Sequence, residues 1–147
     1  VIDFRFSVRP GQGAPSGFDL GDLVCKGDLG EVSSIGHVPD QGMMIYLSVT
    51  QLLDDLAAFL VGAGKTLTFT GVDTSFELVF QQGKKEISVA WKNGAIARVS
   101  RSDLAESVAE AASELAGWGL ASLPSQDAVK VDYLAALNNF LTTAVRS

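Results

Sequence analysis

Along the first eight residues, VIDFRFSV, apolar Ile2, Phe4, Phe6 and Val8 alternate with Asp3, Arg5 and Ser7. A period of two predicts a strand with one face buried. Residues 9–17, RPGQGAPSG, have the composition of a loop. Residues 18–35 are punctuated by glycine and read as two short strands, at 20–26 and 30–35, with a second loop over 36–42. Residues 43–48 then predict a strand leading into a helix over about 49–61, because Val49, Leu52, Leu53, Leu56 and Leu60 recur at helical spacing with Asp54 and Asp55 opposite. Ser48 and Gln51 have the spacing of a capping box at its start.

The second half reads as four strands, 65–70, 75–81, 85–91 and 95–100. Gln82-Gly83-Lys84 supplies one turn, and Asn93-Gly94 is the dipeptide of a two-residue type I′ hairpin. That hairpin pairs Trp91 with Ile96 and Val89 with Arg98. It sets Ile87, Val89, Trp91 and Ile96 on one face and Ser88, Ala90, Ala97 and Val99 on the other. Two helices follow. One starts from a Ser102 cap, buries Leu104, Val108, Ala111, Ala112 and Leu115, and ends at Gly117 and Gly119 around Trp118. The other runs from Pro124-Ser125 to about 145 and packs through Tyr133, Leu134, Leu137, Phe140 and Leu141. This order predicts a single α+β domain over residues 1–147. Its mostly antiparallel sheet has six or seven strands, with three helices packed mainly on one face.

One stretch, Phe59-Leu60-Val61-Gly62-Ala63-Gly64-Lys65-Thr66, ends like a nucleotide-binding P-loop. The pattern G-x-x-x-x-G-K-[ST] needs glycine at the position of Phe59, and it needs a strand before the glycines and a helix after them. Here the order is reversed. The glycines read as a helix C-terminus, where carbonyls rather than amides face outward and Lys65 suits the dipole.

Composition narrows the classes further. Of the 147 residues 47% are hydrophobic and mean hydropathy is +0.25, which argues against disorder. No apolar run reaches the ~18 residues of a membrane helix, and residues 1–8 lack the charged start and greasy run of a signal peptide. With Cys25 the sole cysteine, no disulfide can form within the chain. A cytoplasmic protein is the expectation. Net charge −6 and a pI of about 4.6 disfavour nucleic-acid binding, which needs clustered Lys and Arg. They are compatible with a basic protein partner.

Few groups are arranged for chemistry. One His and one Cys give zinc no adequate ligand set. Asp19, Asp22, Asp28 and Glu31 lie close in sequence but lack the EF-hand pattern, so they read as an acidic surface patch rather than a calcium loop. Cys25 and His37 could meet as nucleophile and base, although Cys25 in LVCKG also suits a buried position. No catalytic residue, metal or cofactor is assigned. Asp103, Glu106, Glu110 and Glu114 are spaced to share one helix face. Like charges three and four residues apart weaken a helix, so this row is the foremost candidate for docking a basic partner. The patch at Asp19, Asp22, Asp28 and Glu31 is the second. Two other readings stand beside it: a ligand pocket near Trp91, Trp118 and Tyr133, and a homo-oligomer joined through the apolar second face of the hairpin.

The runs MMIYLSVTQLLDDLAAFL, SFELVFQQGKKEISVAW and SRSDLAESVAEAASEL lie within residues 43–120. Their layout resembles that of small uncharacterised actinobacterial α+β domains, some of which are immunity-like proteins found beside secreted toxins. The resemblance implies no catalytic residues, and residues 1–42 lie outside it. With the acidic row, it leads to the expectation of a non-enzymatic, immunity-like protein-binding domain.

Overall fold

The computed structural model describes residues 1–62, 64–92 and 94–145. The alternating N-terminal segment forms β1 (Ile2–Val8), with Ile2, Phe4 and Phe6 buried and Asp3, Arg5 and Ser7 exposed. β2 (Leu20–Gly27) pairs antiparallel with β1 in a ladder from Ile2↔Gly27 to Val8↔Gly21. The opposite edge of β2 is shared by β3 (Gly30–Ser33) and the two-residue β4 (Met43–Met44). β5 (Thr66–Thr70), β6 (Glu77–Gln82), β7 (Ile87–Trp91) and β8 (Gly94–Val99) form a separate antiparallel meander.

The α+β class is as expected, but the expected single sheet of six or seven strands is corrected to two four-stranded sheets. The sheets meet without a ladder. Leu29 N donates to Ile96 O at 3.0 Å, and Gly27 packs directly against Ile96 and Ala97. This contact at a hairpin tip, with a hydrogen bond from Met44 N to Val72 O at 3.1 Å, joins what sequence order suggested was continuous.

The first helix, α1 (Ile45–Leu60), begins earlier than predicted. Ile45, Tyr46 and Ser48 read as the end of a strand because their apolar run has no polar break, yet they are buried on a helix that has other elements on several sides. Ser48 caps nothing. Its hydroxyl donates to Met44 O and accepts from Val72 N, which satisfies it in the core. After Leu60, Gly62 and Gly64 take φ of 106° and 98°, the left-handed geometry of a helix exit. Ala63 between them lies outside the described residues.

The hairpin register also differs. Trp91 pairs with Gly94 and Val89 with Ala97, and a bulge falls between Val89 and Ala90. Lys92 takes φ of 54°, so the turn begins one residue earlier than the Asn93-Gly94 pattern implied; Asn93 itself lies outside the described residues. Ala97 and Val99 consequently face inward with Val89 and Ile87. The outer face is left with Thr68, Val79, Gln81, Ser88, Ala90 and Arg98. It is a mixed surface rather than the apolar one that the oligomer reading relied on.

α2 (Arg101–Trp118) buries all five residues expected of it. Its cap is Ser100 rather than Ser102, with the Ser100 hydroxyl accepting from Asp103 N at 3.1 Å. α3 (Ala128–Phe140) starts later than predicted, from an Asp127 cap that accepts from Val129 N. It continues into a wider π turn over Leu141–Val145. Leu134, expected in the core, is 44% exposed. Among the described residues no helix is long and apolar enough to cross a membrane.

Candidate functional site

α2 and β1 lie side by side and run the same way. The start of the strand (Ile2 and Asp3) shares a hollow of about 230 Å³ with Asp103, Glu106, Ser107 and Glu110. The end of the strand, Arg5–Val8, shares one of about 600 Å³ with Glu114, Leu115, Trp118 and Gly119. The lengths match: Asp103 to Glu114 spans about 17 Å at the helical rise, and Ile2 to Val8 about 20 Å in a strand. Helix α2 can lie this close because much of its buried stripe is alanine, with Ala105, Ala109 and Ala112 all buried.

All four acids of the predicted row therefore border the trench these two hollows make along the α2–β1 seam, Asp103, Glu106 and Glu110 on the smaller and Glu114 on the larger, and each is exposed. Among the described residues none of the four has a salt-bridge partner within 4 Å. Asp3 adds a fifth carboxylate to the narrower end, which Val1 with its Asp28-paired ammonium also lines, and among the described residues Arg5 is the one side-chain cation bordering either hollow. Trp118, at the last turn of α2, is 83% exposed at the trench mouth. A bare tryptophan beside a carboxylate row can seat an apolar or cationic side chain.

The second predicted patch is not gathered in this way. Asp19 and Asp28 flank opposite ends of β2. Asp19 accepts from Ser16 N, Asp28 lies beside the N-terminal amine, and Glu31 is 3.9 Å from Lys26. Asp22 is buried and bound to Arg9 and Ser34. Among the described residues no group of three or more His, Cys, Asp or Glu is placed to hold a metal ion.

Arg9 clamps this end of the molecule. Its Nε and one terminal nitrogen each donate to Asp22 at 2.9 Å, and its terminal nitrogens donate to Asp40 at 2.7 and 2.9 Å. Burial pushes the Asp22 carboxyl up, but hydrogen bonds from Arg9 and Ser34 outweigh it, and the net shift is downward. Hydrogen bonds from Arg9 and the Gly42 amide hold the Asp40 carboxyl well below the usual carboxylate range. With four of its five N–H groups engaged by carboxylates, Arg9 serves the fold.

The other chemical candidates are dispersed. Cys25 is fully buried, and burial pushes its thiol up to about 12, the reverse of what a nucleophile needs. His37 Nε2 donates to Ser33 O at 2.7 Å, and the ring lies 5.9 Å from that of Trp91. Tyr133 is buried and donates to Ala112 O at 2.7 Å. Trp91 beside His37, Trp118 at the larger hollow and Tyr133 against Ala112 therefore occupy three different surroundings. Sequence reasoning missed β1 as the facing wall, because nothing in VIDFRFSV says which edge of its sheet it occupies. Comparison with protein-family models, with curated proteins and with solved structures finds no match to this chain.

Proposed function

We propose that the chain is a non-enzymatic protein-binding domain of immunity type, which neutralises a basic partner by covering part of it with the carboxylates of α2. One observation carries this reading: Asp103, Glu106, Glu110 and Glu114 stand exposed in one row along a trench, without a salt-bridge partner among the described residues. Such a row costs helix stability, and a complementary positive surface would offset that cost while steering encounter.

The test is capture from lysate with tagged wild-type chain and with Glu110→Lys/Glu114→Lys, at low and high salt. The expected result is a single stoichiometric basic protein, held by the wild type at low salt, released at high salt, and lost from the variant. Equal capture by both chains would remove the α2 row from the function.

A further inference from the structure

Five of the chain's 11 lysines and arginines gather at one corner of the β5–β8 sheet. Lys65 precedes β5, Lys84 and Lys85 lie in the turn between β6 and β7, Arg98 is near the end of β8, and Arg101 opens α2. Backbone pairing brings these places together. Gln82 N donates to Lys65 O at 2.8 Å, and Gly83 N closes the turn on Glu86 O at 2.7 Å. Arg98 stands opposite Ser88, and Ser88 opposite Gln81, so the three share the outer face of the sheet. A hollow of about 510 Å³ is lined there by Gln81, Lys84, Lys85, Ser88 and Arg98. A second, of about 540 Å³, takes in Arg101 and Ser102, and Lys85 borders both. All five cations are exposed, and among the described residues none has a salt-bridge partner within 4 Å.

This corner reverses the charge of the molecule. Of the 17 acids only Glu86 lines either hollow, which leaves 16 acids against six cations for the rest of the chain. A long polyanion that ran beyond the hollows would meet repulsion from that remainder. No aromatic side chain lines either hollow among the described residues, so neither a stacked base nor the aromatic anchor of a protein interface has a seat here. What is present suits a compact anion. The volumes are those of small-ligand sites, the planar fork of Arg98 matches phosphate oxygens, the lysines add point charges, and the Ser88 hydroxyl adds a donor. We propose that the two hollows bind a small anion carrying adjacent phosphoryl groups, with Lys85 shared between them, Arg98 in one and Arg101 in the other. The carboxylates of the α2 row line neither hollow, so this site stands or falls apart from the function proposed above.

The test is calorimetric titration with inorganic pyrophosphate of the wild-type chain, of Lys85→Gln/Arg98→Gln, and of Lys26→Gln/Lys92→Gln, which loses the same charge elsewhere. All four positions are exposed, so each variant should fold, and thermal midpoints check this. The wild type should bind one equivalent saturably. The Lys85/Arg98 pair should bind about tenfold or more weakly, since charge-assisted hydrogen bonds are lost, and the Lys26/Lys92 pair should match the wild type. Amide NMR shifts on binding should centre on the 83–86 turn, Arg98 and Arg101. An equal loss in both variants would reduce the effect to diffuse attraction and overturn the proposal, as would shifts centred elsewhere or no saturable binding. A glutamate-rich peptide or a single-stranded oligonucleotide that binds this corner more tightly than pyrophosphate would assign it to an acidic macromolecule and overturn the proposal too.

Discussion

Arg9 shows what one side chain does for this fold. It holds the buried carboxylate of Asp22 and ties the loop at Asp40 to β2. The planar fork of guanidinium meets two carboxylates at once, a geometry that lysine cannot supply. Arg9→Ala would leave the buried Asp22 without its counter-charge, held by the Ser34 hydroxyl alone, and urea denaturation should show a loss of about 3 kcal/mol; Arg9→Lys should recover only part of it. The pH dependence follows from the lowered carboxyls of Asp22 and Asp40. A carboxyl depressed in the folded state contributes stability above its ordinary value of 3.8. That contribution is lost as pH falls from there through the folded value. Urea midpoints for the wild type should therefore drop steeply in acid, and those of Arg9→Ala should drop less. Tyr133 makes a smaller contribution: Tyr133→Phe removes its hydrogen bond to Ala112 O and should cost about 1 kcal/mol in the same measurement.

At the scale of elements, α2 separates stability from function. Ser100→Ala deletes the hydroxyl that accepts from Asp103 N and should lower stability by about 1 kcal/mol. Glu110→Gln should act in the opposite sense. It relieves repulsion toward Glu106 and Glu114 and should raise stability by about 0.3 kcal/mol, while weakening capture of a basic partner. A residue kept for folding alone would not show that opposition in paired thermal-unfolding and binding assays. The helix was legible because Leu104, Val108, Ala111, Ala112 and Leu115 repeat at 3.6 residues, and that same period put the acids on one side. Its cap was not legible, since Ser100 and Ser102 are equally good chemically and only backbone geometry selects Ser100. The β7–β8 register failed for a related reason: Lys92 takes the left-handed position, and a bulge then shifts the pairing. The trench was hidden because its walls come from opposite ends of the chain. Alternation in residues 1–8 reveals a buried face but carries no signal for which edge is left unpaired.

At the scale of the molecule, two sheets and three helices share one core, and the contact between the sheets is narrow. A Cβ on Gly27 would collide with the Ile96 carbonyl and with Ala97. Backbone on the far side cannot move aside as a flexible side chain would. Gly27→Ala should therefore cost about 2 kcal/mol, read as a lowered thermal midpoint. That position lies in β2, whereas the acids and Trp118 of the trench lie on α2, so a variant that still folds should keep its partner affinity. The central claim concerns where the partner sits, and hydrogen exchange of the chain, free and bound to its captured basic partner, reads this directly. The account predicts slowed exchange in α2, along the turns that carry Glu106, Glu110 and Glu114 and in the last turn around Trp118. Protection confined to the β5–β8 sheet or to α3, with α2 unchanged, would contradict it.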